Sequence, residues 1–287
     1  ANTAPPLNEC DPENDGFEIF NLSANNASVL GTQNPAAFEV RYFTSQQNAD
    51  ENTNALNGTT YTNTSNPQTI FARVHQRGNN KCYATTSFDI AVTGAPVMNA
   101  TEYAICDDDA DGNDTNGRAT FDLQAVTMAL VQDTANFTTT YYANETAANN
   151  GGANALPAQF YNTIRDAQVV YARMVHTTFT NCVTVLPVTL TVNPLPDVVM
   201  GTELVQCLNP DGANIFNLTQ ADSQLTNGDA GLMVRYYPTV TDAGDGTNEI
   251  VGAYNNTSNP QTIAARVIVT ATGCYRILPV TLRVTTD

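Results

Sequence analysis

The sequence predicts an all-β fold built three times in tandem. Three observations predict it. The octapeptide NTSNPQTI at Asn63–Ile70 returns letter for letter at Asn256–Ile263. A fixed series of landmarks recurs three times along 287 residues. Between the landmarks, short apolar/polar alternations alternate with clusters of Asn, Asp, Gly and Thr, the pattern of strands and turns.

The landmarks define the repeat. Each unit opens with a cysteine (Cys10, Cys106, Cys207). An F-x-L triplet follows at Phe20-Asn21-Leu22, Phe121-Asp122-Leu123 and Phe216-Asn217-Leu218. An aromatic pair comes next: Tyr42-Phe43, Tyr141-Tyr142 and Tyr236-Tyr237. Then comes an A-R run at Ala72-Arg73, Ala172-Arg173 and Ala265-Arg266, and a second cysteine (Cys82, Cys182, Cys274). Self-similarity at this period marks a copied supersecondary unit rather than a duplicated catalytic motif. Pro and Gly in Thr93–Pro96 and Asn193–Pro196 end strands and make short linkers. The expected repeats are therefore 1–96, 97–196 and 197–287, about 95 residues each and large enough for separate cores.

Within a repeat, Phe38–Phe43 alternates as a strand. So does Thr69–Val74, with Ile70, Ala72 and Val74 on one face. Val183–Val192 is a long closing strand, bulged or at a sheet edge at Pro187. The octapeptide is a loop-to-strand junction, its Asn-Pro making the turn. One short helix is expected at Gln124–Val131, with weaker counterparts after Leu22 and Leu218. Six or seven strands in about 95 residues with a linking disulfide read as an immunoglobulin-like β-sandwich. The chain has no Trp, so the buried Trp of antibody domains is missing.

The six cysteines, two per repeat, read as one intradomain disulfide in each: Cys10–Cys82, Cys106–Cys182 and Cys207–Cys274. Each would close a loop of about 70 residues, worth about 4 kcal/mol in the chain-entropy account. Disulfides place the chain in an oxidising compartment. Twenty-eight acidic residues against 11 basic ones give a net charge of −17. That balance argues against nucleic acid and anionic membrane surfaces as partners. No apolar run has the length of a membrane span.

The acidity concentrates after the opening cysteine. In the middle repeat, Asp107, Asp109 and Asp111 alternate ahead of Gly112. In the first, Asp11, Glu13 and Asp15 precede Gly16. Alternate carboxylates before a glycine suit Ca²⁺, since alternate side chains turn their oxygens to one point. The loops are not EF-hands, because a strand with Phe121 follows where a helix would be, so further ligands must come from elsewhere: Asp122, or the acidic residues after the aromatic pair (Asp50, Glu51, Glu145, Asp242), are the candidates. In the third repeat, Leu208–Gly212 has lost most of the charge. A solvated acidic turn without an ion is the alternative.

Catalytic patterns are missing: no G-x-S-x-G, H-E-x-x-H or phosphate-binding glycine loop. His75, His176, Arg73, Arg173 and Arg266 read as surface residues, the arginines as ion-pair partners. The chain is therefore expected to be non-enzymatic.

The series C-D-x-D-x-D-G, F-D-L, Y-Y, P-Q-T-I-x-A-R-V, second Cys, V-T-L-x-V and N-P-L-P resembles the tandem repeats of giant Bacteroidetes cell-surface proteins. Those are exported by type IX secretion and include gliding-motility adhesins of the SprB type. The resemblance covers the whole chain. It departs at Leu208 and Asn209. It implies an extracellular, cell-surface location and a stalk or adhesive function, with neighbouring repeats and surface polysaccharide as partners. It also implies a longer parent chain, and O-glycosylation at Thr134 within Asp133-Thr134-Ala135. Two other readings remain open: a carbohydrate-binding accessory module, and a filament subunit in which Ala1–Pro6 is a donated strand.

Overall fold

The computed structural model describes residues 1–209 and 214–286. It forms two compact units. One comprises Ala1–Thr101, Leu123–Pro157 and Val170–Val188. The other comprises Glu102–Asp122, Ala158–Val169 and Thr189–Asp287.

The first repeat contains β1 (Leu7–Asp11), β2 (Ile19–Phe20), α1 (Asn26–Leu30), β3 (Phe38–Phe43), α2 (Gln46–Glu51), β4 (Tyr61–Thr62), β5 (Gln68–Gln76) and β6 (Asn79–Gly94). A four-stranded sheet runs β1-β6-β5-β3, and β2 pairs with β4 as a small second layer. β1 lies parallel to β6, whereas β6, β5 and β3 are antiparallel. The middle repeat has β7 (Glu102–Cys106), β8 (Thr120–Asp122), α3 (Leu123–Leu130), β9 (Phe137–Tyr142), α4 (Glu145–Asn150), β10 (Gln159–Tyr161), β11 (Ala167–His176) and β12 (Val183–Asn193). Here β7 is parallel to β12 in one unit, and β9 is antiparallel to β11 in the other. The third has β13 (Glu203–Cys207), β14 (Ile215–Phe216), α5 (Asp222–Leu225), β15 (Leu232–Tyr237), α6 (Val240–Asp245), β16 (Tyr254–Asn255), β17 (Gln261–Val269) and β18 (Tyr275–Thr285). Its main sheet runs β13-β18-β17-β15. The chain is thus three all-β, immunoglobulin-like sandwich repeats.

Burial follows the landmarks. Phe20, Leu22, Tyr42, Ile70, Ala72, Val74 and Ile90 form one core, and Phe216, Leu218, Tyr236, Ile263, Ala265, Val267 and Leu282 its counterpart. Each large side chain withdrawn from water contributes about 1.5–3 kcal/mol. The aromatic pairs are core residues, with Tyr42, Phe43, Tyr141, Tyr142, Tyr236 and Tyr237 all buried.

The repeated octapeptide has a structural job that its letters explain. Asn66 donates from Nδ2 to the Val92 carbonyl and accepts from the Val92 N–H, and Asn259 does the same with Val284. One amide side chain thereby imitates a strand neighbour for the closing strand. Gln68 and Gln261 each accept from a loop N–H (Thr64, Thr257) and donate to a tyrosine hydroxyl (Tyr61, Tyr254). The buried amide of Asn63 accepts from Glu18 N–H and donates to the Gly16 carbonyl, and so fixes the far end of the first acidic loop. Asn162 plays this part in the middle repeat, bonded to Ala119 and Gly117.

Four expectations meet the structure here, the first borne out and the other three in need of correction. First, Pro187 stands where β12 is locally a sheet edge, because β7 pairs with it only from Thr189 onward. Proline costs no ladder bond where that neighbour has not begun. Second, a further helix in each repeat, α2, α4 and α6, went unforeseen. Ser45, Asn144 and Thr239 cap them by accepting from the third residue onward, and Ala49, Ala148 and Ala243 are fully buried beneath them.

Third, these helices overturn the surface assignment of the arginines. Arg73 is 1% exposed. Its Nη1 donates to the carbonyls of Ala49 and Asp50, at the C-terminal end of α2. Arg173 reaches Ala148 and Asn149, and Arg266 reaches Ala243. A helix's last carbonyls lack intrahelical partners and carry negative dipole, so a guanidinium suits them. Arg73 and Arg266 also stack on Tyr83 and Tyr275, with 3.6 Å from guanidinium carbon to ring centroid in both. His75 is likewise buried, with its Nε2 3.7 Å from Glu39. His176 is half-buried, its Nδ1 accepting from the Thr178 and Phe179 amides.

Fourth, Ala1–Pro6 is docked on its own repeat rather than free for donation. Asn2 N–H donates to Val29, and Asn25 Nδ2 to the Pro5 carbonyl. The segments before the other repeats dock alike, through Asn99 to Leu130 and Val199 to Leu225.

Candidate functional site at the repeat junctions

Each opening cysteine closes the first strand of its repeat, where that strand runs parallel to the exit of the last one. Cys10 lies opposite Thr93, Cys106 opposite Asn193 and Cys207 opposite Thr285. The second cysteine stands 11 residues earlier in all three repeats (82 to 93, 182 to 193, 274 to 285), on the same long strand in the first and just ahead of it in the other two. Eleven strand residues span about 36 Å. A disulfide tolerates a Cα separation of at most about 7 Å. The two cysteines of one repeat therefore cannot meet, and the intradomain pairing is overturned.

The bonds instead join successive repeats. Cys10 is bonded to Cys182 with Cα atoms 5.1 Å apart, and Cys106 to Cys274 at 5.6 Å. The rule is opening cysteine to closing cysteine of the next repeat. Cys82 is an exposed free thiol, and Cys207 is exposed on β13. Two disulfides place the folded chain in an oxidising, extracellular setting. No helix among the described residues is long and apolar enough to cross a membrane.

The acidic loops begin beside these bonds. In the first repeat Asp11 is buried, accepting from the Asp15 and Gly16 amides at 3.3 and 2.7 Å. Ligand oxygens of Asp11, Glu13 and Glu18 lie within 4.8 Å of one another, the one such group among the described residues. Glu18 was not foreseen. It follows Phe17 outside the alternating pattern and is brought in by its backbone bond to Asn63. Asp15 instead accepts from the Phe17 N–H. Nearby Glu9 is held above the usual carboxylate range, by burial first and by the charge of Glu18 second.

The middle loop is folded differently. Asp107 is buried and accepts from Gly117 and Asp108 N–H. Asp111 accepts from Asn113 N–H, Asn116 Nδ2 and the Tyr161 hydroxyl. The Tyr161 bond is the main reason its pKa lies below the ordinary value. Asp109 offers its carbonyl to Gly112 N–H. Asp122 is an exposed residue of β8. The structure does not gather Asp107, Asp109, Asp111 and Asp122 into one ligand set. In the third repeat, residues 210–212 of the expected loop lie outside the described residues.

Charge also bridges the second junction. Arg276, two residues after Cys274, pairs with Asp114 of the middle loop and donates from Nε to the Pro196 carbonyl at 3.1 Å. The guanidinium holds Asp114 below the usual carboxylate range. Thr134 is exposed in a turn where Asp133 accepts from the Ala135 and Asn136 amides.

Among curated proteins no sequence match is found. Solved structures of low similarity cover most of the chain. Extracellular domains 3–5 of Drosophila OTK share 9% identity over 99% of this chain and 96% of that one, with a TM-score of 0.26. Drosophila N-cadherin EC1–3 shares 10% over 99% and 98%, at 0.22. Three N-terminal domains of the bacteriophage RB49 outer capsid protein Hoc share 8% over 89% and 90%, at 0.31. The profile of one family matches residues 6–96, 102–196 and 203–287. Those spans take in nearly all of the sequence, and the two bonds observed join one matched span to the next. The chain belongs to the Flavobacterium inter-domain disulphide bond domain family.

Proposed function

We propose that this chain is a non-enzymatic cell-surface spacer, a stalk or adhesin segment whose repeats are stiffened at their junctions. The observation that carries this reading is the offset disulfide pattern, in which each bond crosses a junction instead of stapling one bead. A hinged catalytic cleft has no use for covalent bonds across its hinge, whereas a load-bearing array does. The strong negative charge suits a solvated outer surface. Export by type IX secretion and a part in gliding motility follow from the family resemblance.

Calcium is the cofactor we assign, first to Asp11, Glu13 and Glu18, whose oxygens converge. Their mutual repulsion is relieved by a divalent cation. The test is thermal unfolding of the oxidised chain with Ca²⁺ and with a chelator. A ligand bound only to the folded state raises stability. Glu13→Gln leaves the loop hydrogen bonds of Asp11 intact and is expected to remove the rise. Asp109→Asn with Asp111→Asn reports on the middle loop. An unfolding curve that ignores Ca²⁺ removes calcium from the proposal. Binding of the folded chain to surface polysaccharide, compared with a single-site glycan lectin as control, tests the adhesive role.

A further inference from the structure

We infer that His176 is an acid-sensitive clasp on the turn that carries Cys182, present at that hairpin and not at the one that carries Cys274. β11 ends at His176, and the chain turns through residues 177–181 before Cys182. Backbone bonds shape part of the turn: His176 N–H donates to the Cys182 carbonyl, and Cys182 N–H to the Phe179 carbonyl. The rest is held by a side chain. His176 Nδ1 accepts from the Thr178 and Phe179 amides, both at 3.1 Å. An imidazole nitrogen accepts only while it carries no proton. Asp133 holds its own turn in the same way, accepting from the amides two and three residues on, Ala135 and Asn136. A carboxylate keeps that ability through mild acid, whereas an imidazole loses it there.

The hairpin at Cys274 supplies the contrast. Val269 stands in the place of His176, its N–H bonded to the Cys274 carbonyl. The Val269 carbonyl accepts from the Thr272 and Gly273 amides, and Thr272 Oγ1 accepts from Cys274 N–H. None of these groups titrates between pH 8 and pH 5. At the middle hairpin the imidazole packs against the rings of Phe137 of β9 and Phe179, each centroid 5.1 Å away. The charged groups that face it are both acidic. Asp133 shares a cavity of about 300 Å³ with it and feels its charge. Glu9 of β1 faces the turn across a second cavity, lined by Thr178 and Phe179. Residues 93–97, the other wall of the first cavity, bring no charge. Once protonated, the ring turns an N–H toward two amide N–H donors, and both bonds are lost. The turn is therefore closed while His176 is neutral and loosens as pH falls, and its hold on Cys182 loosens with it. The inference needs neither calcium nor an adhesive role.

Hydrogen exchange tests this, read residue by residue on the oxidised full chain at pH 8 and pH 5 and divided by the intrinsic rate at each pH. Protection at Thr178 and Phe179 is expected to fall several-fold in acid, while that at Thr272 and Gly273 holds. His176→Asn supplies an acceptor that takes no proton, and is expected to keep the turn protected at both pH values. Asp133→Asn is expected to leave the fall in place, because the carboxylate is not its source. Should His176→Asn disturb the turn outright, the nitrogen chemical shifts of the imidazole in the unaltered chain decide, since Nδ1 must be bare at pH 8. A proton on Nδ1 at that pH overturns the inference. So does equal protection at the two pH values, a fall that survives His176→Asn, or one that Asp133→Asn abolishes.

Discussion

Pulling the chain by its ends reads the disulfide pattern directly, because a covalent bond shortens the path that force must follow. With Cys10–Cys182 and Cys106–Cys274 in place, the shortest route from Ala1 to Asp287 runs to Cys10 and crosses to Cys182. It then goes back along the chain to Cys106, crosses to Cys274 and runs to the end. Only about 98 peptide steps of the 287-residue chain lie on it, a contour of about 350 Å at roughly 3.6 Å per residue. After reduction the contour becomes about 1,000 Å. One disulfide inside each repeat would leave about 71 steps, or about 250 Å. Force spectroscopy on the chain held by terminal tags, fitted for contour length with and without reductant, separates the three values. A fully unfolded oxidised chain of about 250 Å would refute the geometric argument that one repeat's cysteines stand a strand length apart.

Other outcomes follow from single contacts. Arg73→Met, which leaves the α2 carbonyls without their donor, is expected to cost about 2–4 kcal/mol. Faster hydrogen exchange in α2 would report it, with Arg73→Lys a poor substitute for the forked donor. Arg165→Ala, at an exposed pair, should change stability by less than about 1 kcal/mol. Asn259→Ala removes both bonds to Val284 and should cost about 1–3 kcal/mol, seen as earlier melting of the third repeat. Asp114 titrates below its ordinary 3.8 when folded. Its pairing with Arg276 is therefore complete above that value and lost as pH falls through the lower folded one. Amide exchange in the hairpin at Cys274 should rise there, and Arg276→Met should abolish the pH dependence.

Much of this was legible in the letters. The strand at Phe38–Phe43 appears with the expected bounds, and the core face of Ile70, Ala72 and Val74 is buried as its alternation requires. What misled was topology. Symmetry suggested pairing the two cysteines of a repeat, but the first strand joins the sheet parallel to the last and puts Cys10 at the wrong end of it. Only strand direction decides this, and alternation is blind to direction. The constant 11-residue interval from second cysteine to strand exit was available as a clue. The arginines misled for a related reason. Alternation placed Arg73 opposite the core, and the short helix covering that face has too few residues to show a period. Its signal was there all the same: a Ser, Asn or Thr two residues after the aromatic pair, then Ala four further on. Convergence of Glu18 with Asp11 and Glu13 depended on a bond from Asn63, 45 residues away, which no local pattern encodes.

The offset bonds have a consequence for damage. Cys10, Cys106, Cys182 and Cys274 are joined by three stretches of chain and two disulfides, forming two loops that share the segment from Cys106 to Cys182. Every stretch between the first and last of these cysteines belongs to a closed circuit. A protease that cuts any one peptide bond there leaves a single covalent molecule. The cut stays hidden until reductant is added, and the break does not release whatever the far end holds. One staple per bead would protect only the stretch inside each bead, since its linkers would be single threads.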